Sequence, residues 1–109
     1  MSMFADYIKE RLGKEIIETD KGFATYSFTK DGVYVEDIYV KPDFRRERVA
    51  WDLLDQIAEI ALNQGVRMMY GSCVPSTTGA TEAMSAAIKY GFKLDSSTNN
   101  FIVYKKDLI

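Results

Sequence analysis

The run Tyr34 to Leu62, YVEDIYVKPDFRRERVAWDLLDQIAEIAL, constrains the fold more than any other stretch, because it sets a strand, a basic loop and a helix in direct succession. Tyr34, Val35, Ile38, Tyr39 and Val40 are β-branched or aromatic, and Pro42 ends the run. From Ala50 the period changes: Ala50, Leu53, Leu54, Ile57, Ala61 and Leu62 recur at the spacing of one helix face. Between them lies Arg45-Arg46-Glu47-Arg48-Val49-Ala50. A loop that delivers the chain onto a helix N-terminus presents unpaired backbone N–H groups at the positive end of the dipole, which suits a phosphate. Three arginines against one glutamate concentrate positive charge there, in a chain whose net charge is -2.

The flanking segments predict the rest of the sheet. Phe4, Ile8 and Leu12 predict a short amphipathic helix, with Ser2 as its N-cap and Gly13 at its end. Ile16 and Ile17 carry a strand over Lys14 to Thr19, Asp20-Lys21-Gly22 turns, and Ala24, Tyr26 and Phe28 alternate along a second strand. Lys30-Asp31-Gly32 closes a hairpin into Val33 to Val40. After the long helix, Asn63-Gln64-Gly65 stops it, and Val66 to Cys73 predicts a buried strand. Strand, helix and strand form a right-handed crossover, which makes that strand pair parallel. A polar loop, VPSTTG, leads to a helix from Ala80 to Tyr90. Phe92 to Leu94 and Phe101 to Tyr104 then pair as a terminal hairpin across Asp95 to Asn100. The expected fold class is α/β (α+β), a mixed, mainly antiparallel sheet with a central parallel strand pair and helices on its faces, in one domain over residues 1–109.

Composition excludes several chemistries. With no histidine, neither a Ser-His-Asp nor a Cys-His nucleophile can be assembled from this chain, and one cysteine cannot supply a thiolate metal cage. No metal is expected. The net charge of -2 argues against a general nucleic-acid binder. No apolar run is long enough to span a bilayer, the N-terminal MSMFADYIKERL lacks signal-peptide character, and a single cysteine fits a reducing compartment. The expectation is a cytoplasmic protein without membrane contact.

The strand–loop–helix resembles the GCN5-related N-acetyltransferases, the GNAT superfamily, whose coenzyme A loop reads Q/R-x-x-G-x-G/A after a strand ending V-x-P. Val40-Lys41-Pro42 matches the strand end, Arg45 the opening Q/R and Ala50 the closing G/A, while Arg48 stands where the first glycine belongs. Val35-Glu36-Asp37-Ile38-Tyr39-Val40 is similar to the polyamine acetyltransferase branch, and Ile88-Lys89-Tyr90-Gly91-Phe92-Lys93 to the family's Gly-Phe helix end. The resemblance covers Gly22 to Leu108, about four-fifths of the chain. It implies acetyl-CoA (coenzyme A) as co-substrate and transfer to a primary amine, on a small molecule or a protein, by direct attack. It also implies a cofactor-binding set of Ile38, Tyr39, Val40, Arg45, Arg46, Glu47, Arg48, Val49 and Ala50. A second copy of the chain is a further expected partner, covering a sheet edge left by a short N-terminal region.

Direct acetyl transfer needs a held thioester, a base for the amine proton and an acid for the departing thiolate. Glu36 and Asp37 interrupt an apolar strand on opposite faces, and burial of one of them would make it a better base near neutral pH. The resemblance points to Glu36 as that base, with Asp37 as the alternative. Counting back from Gly91-Phe92, the family's catalytic tyrosine position falls on Ala87, which cannot donate a proton. Tyr70 and Cys73 are the candidates to replace it. Arg48 and Ala87 together also raise an alternative function: a degenerate GNAT fold serving as a binding or structural component of an assembly, such as a phage particle.

Overall fold

The computed structural model describes residues 3–45 and 47–109, so the expected N-cap Ser2 and the loop residue Arg46 lie outside the described residues. The order is α1 (Met3–Leu12), β1 (Glu15–Glu18), β2 (Gly22–Phe28), β3 (Val33–Val40), α2 (Val49–Asn63), β4 (Met68–Cys73), α3 (Ala80–Tyr90), β5 (Lys93–Thr98) and β6 (Phe101–Asp107). A short 3-10 turn, Pro42–Phe44, separates β3 from the basic loop. One six-stranded sheet runs β1-β2-β3-β4-β6-β5, antiparallel throughout except for the central parallel pair β3 and β4. The expected mixed sheet with its central parallel strand pair is the observed one.

The core lies between α2 and the middle of the sheet. Leu53, Leu54, Ile57 and Ala61 of α2 cluster with Ala24, Tyr26, Val33, Val35 and Met69. Leu53, Ile57, Met69 and Val33 are the largest fully buried side chains, which is where the helical and alternating periods converge. Each such side chain contributes about 1.5–3 kcal/mol by leaving water.

Three local features differ from the pattern expected. In α1, Ala5 and Ile8 are buried while Phe4 and Leu12 are exposed, so the helix packs with a narrower face than Phe4-Ile8-Leu12 implied. In β3 the pairing passes from Thr25↔Asp37 to Tyr26↔Val35, leaving Glu36 as an extra, unpaired residue. This bulge breaks strict alternation and re-aims the side chains beyond it. Finally, Asp95 to Thr98, expected as loop, belongs to strand β5, and the hairpin turns at Asn99-Asn100 with Asn100 at φ 52°. β5 is an edge strand exposed at every residue, so ladder hydrogen bonds define it and no apolar period marks it.

Candidate active site

A cleft opens where the two parallel strands part. β3 and β4 stay paired through Val33↔Met69, Tyr34↔Tyr70 and Val35↔Gly71, and no pairing joins them beyond that level. The bulge at Glu36 bends β3 at this point. The resulting space has a volume of about 570 Å³ and is lined by β3 from Val35 to Val40 (Asp37 apart), by Gly71 to Cys73 of β4, by the start of α2, and by Ala83, Ala86 and Ala87 within α3. The edge of β3 facing it carries backbone groups that β4 no longer satisfies.

Glu36 projects from the bulge into this cleft. Its Oε2 atom is buried and ion-paired with Lys14 Nζ, from the link between α1 and β1. Contact with the Glu36 carboxylate raises the Lys14 ammonium above its ordinary value, against a smaller opposing effect of desolvation. Asp37 is exposed and turned away from the cleft. Its N–H donates to Thr25 Oγ1 at 3.2 Å, and the Thr25 hydroxyl lies 3.4 Å from its carboxylate. Of the two carboxylates, only Glu36 reaches the space where chemistry could occur.

The basic loop divides similarly. Ile38, Tyr39, Val40, Arg45 and Ala50 line the cleft; Glu47, Arg48 and Val49 do not. Arg45 Nε donates to Val40 O at 2.9 Å, and its guanidinium lies 5.7 Å from the Tyr39 ring centre, which ties the loop back onto β3. That bond uses one of the five guanidinium N–H groups. Glu47 pairs with Lys21 at 3.5 Å on the β1–β2 turn, and Val49 is buried in the core. Arg48 is the N-cap of α2 in the left-handed conformation, φ 65° and ψ 17°, and its side chain makes no capping hydrogen bond. Its guanidinium sits 4.8 Å over Trp51, which lines the cleft. Among the described residues no group accepts from the opening amides of α2, which lie beside Arg45 and Arg48, as an anion site requires.

At the inner end, Ala83, Ala86 and Ala87 of α3 face Gly71 and Cys73 of β4. Tyr90 points elsewhere: its hydroxyl donates to Asp55 Oδ1 at 2.6 Å and its ring tilts against Trp51 and Phe92. Burial, and then Asp55, hold that phenol well above its ordinary value. Tyr104 of β6 is buried in the cleft wall, its hydroxyl 3.6 Å from Cys73 Sγ. Burial, reinforced by Cys73, pushes Tyr104 up to about 12. Lys14, Trp51 and Tyr104 were not among the residues expected here. Alternation along β6 marks Tyr104 as inward-facing, but only its pairing opposite Gly71 brings it to the cleft.

A sequence profile of the acetyltransferase (GNAT) family matches residues 18–92. The chain belongs to the GNAT family. Over 49 residues it is 37% identical to the thialysine N-epsilon-acetyltransferase of Sus scrofa and 39% identical to that of Mus musculus, and each match takes in 40% of this chain and 29% of the relative. The match thus spans under a third of these curated relatives. Among solved structures, the PaiA N-acetyltransferase of Thermoplasma acidophilum in complex with coenzyme A superposes with a TM-score of 0.74 at 16% identity, over 92% of this GNAT chain and 65% of that one. The Bacillus subtilis acetyltransferase in complex with CoA gives 0.71 at 17%, over 95% and 84%. The anti-CRISPR protein AcrVA5 gives 0.70 at 19%, over 84% of this chain and 98% of its own. These structural likenesses establish the fold.

Proposed function

We propose that this GNAT chain transfers an acetyl group from acetyl-CoA to a primary amine by direct attack inside the β3–β4 cleft. The observation that carries the reading is the divergence of the strands beyond Val35↔Gly71, with uncapped α2 amides at one end and Glu36 inside. The amides, Arg45 and Arg48 take the pyrophosphate; the β3 edge at Ile38, Tyr39 and Val40, its Val40 carbonyl already held by Arg45, receives the two-amide arm of coenzyme A as an added strand would be held. Glu36, directly or through one water, takes the proton of the attacking amine. Asp37, engaged with Thr25 and exposed, serves β2–β3 pairing instead.

The thialysine acetyltransferase relatives support an acceptor with its amine at the end of a flexible chain. Polyamines, protein lysines and small free amines are the classes to assay, by release of the CoA thiol. Glu36→Gln should lower turnover about 10²–10⁴-fold with acetyl-CoA affinity retained, since it removes a base and no phosphate contact. A variant as active as the wild type would remove Glu36 from the mechanism. A homodimer belongs to this reading too: β1, the sheet edge beside the short N-terminal region, is the edge a second copy would pair with, and light scattering reports the mass.

A further inference from the structure

Scission of a thioester leaves a thiolate, and a thiolate among apolar walls is unfavourable unless a donor meets it. The inner end of the cleft is apolar: Val35, Leu54, Ala83, Ala87 and Phe92 line it. Four hydroxyl side chains also line the cleft. Tyr39 stands at the loop end, stacked on Phe23 and 43% exposed. Ser72 alternates to the other sheet face from Gly71 and Cys73, and Thr78 sits in the exposed loop before α3. Tyr104 remains, 5% exposed.

Its position follows from register. Gly71 pairs with Val35 on one side and with Tyr104 on the other, at the last level before the strands part. Cross-strand partners share a sheet face, so Val35 and Tyr104 flank a residue without a side chain. A Cβ at Gly71 would meet nothing within 4 Å, so the space over it is open between them. Cys73, two residues along on the same face, lies 3.6 Å from the Tyr104 hydroxyl.

We propose that the Tyr104 hydroxyl, positioned by Cys73, is the hydrogen-bond donor that stabilises the thiolate leaving the acyl carrier. The inference rests on the acetyl-transfer reading above. As the amine nitrogen bonds to the carbonyl carbon, the C–S bond breaks with its electron pair on sulfur, and the Tyr104 O–H, held at rest beside Cys73 Sγ, turns to that sulfur. The amine proton leaves to Glu36 or water. Burial keeps the phenol protonated at neutral pH. A thiol, near 8.5 in water at roughly its reference value, is the stronger acid, so the proton is shared and the thiolate is reprotonated by solvent on release.

The test needs no acceptor. CoA labelled with ¹³C beside its sulfur is titrated in complex with the wild type and with Tyr104→Phe, which keeps the ring and removes the donor. The bound thiol should ionise about tenfold more readily in the wild type, one pKa unit lower, with equal CoA affinity at neutral pH. Site-specific 3-fluorotyrosine at position 104, isosteric and more acidic, should lower it further, and serves should Tyr104→Phe fail to fold. Equal thiol pKa across these complexes overturns the role of Tyr104 and leaves acetyl transfer standing. Failure of the wild type to bind CoA overturns both.

Discussion

Arg48 holds φ 65° at the entrance to α2, a conformation that costs an L side chain about 1–2 kcal/mol and glycine almost nothing. Glycine, which the loop pattern named above has at this position, would adopt that conformation freely. The compensation for Arg48 is the Trp51 ring beneath the guanidinium, worth about 0.5–1 kcal/mol at an exposed site. Arg48→Ala keeps the strain and loses the ring contact. Arg48→Gly relieves the strain, offset by about 0.4–1 kcal/mol of added freedom in the unfolded chain. Urea denaturation should therefore rank Arg48→Gly above Arg48→Ala by about 1 kcal/mol. The reverse order would mean that position 48 is unstrained. The same Arg48→Gly protein should bind CoA less tightly at moderate salt, and a gain in affinity would show the guanidinium to be an obstruction.

At the scale of elements, the end of β3 is where fold and site meet. Gly22 pairs with Val40, and a Cβ at Gly22 would collide with the Tyr39 carbonyl and come within 3.0 Å of Val40 Cα. Thr19 fixes Gly22 from the other side, its N–H donating to Gly22 O at 2.8 Å. Gly22→Ala must thus displace the strand that lines the cleft and anchors Arg45. We expect a loss of about 1–3 kcal/mol in chemical denaturation, together with weaker CoA binding. A variant as stable as the wild type would show that β3 can move freely. The limits of β3 and α2 were legible because each buries a face whose period is written in Val, Leu, Ile and Ala, and those of α3 because a polar loop and Gly91 bracket it. The bulge at Glu36 was not, since it exists only as a mismatch with β2. Nor was the Lys14 pair, which joins residues 22 positions apart with no local mark. Tyr104 was hidden for the same reason, its place being set across β4 by Gly71.

Taken whole, the molecule gathers its polar assets around one cleft. Arg45 and the start of α2, Glu36, and Tyr104 with Cys73 all line the same cleft. Among the described residues no helix is long and apolar enough to cross a membrane. A degenerate fold kept only as scaffold would have no reason to bind acetyl-CoA, so binding separates that reading from ours. A ligand that binds only the native state adds about 2.7 kcal/mol at a hundredfold excess over its dissociation constant, a shift on the order of 10 °C for a domain this size. The decisive measurement is the thermal midpoint with and without acetyl-CoA, with adenosine as the control that lacks phosphates. Our account predicts a clear, concentration-dependent rise with acetyl-CoA and almost none with adenosine; an unchanged midpoint at millimolar acetyl-CoA would contradict it.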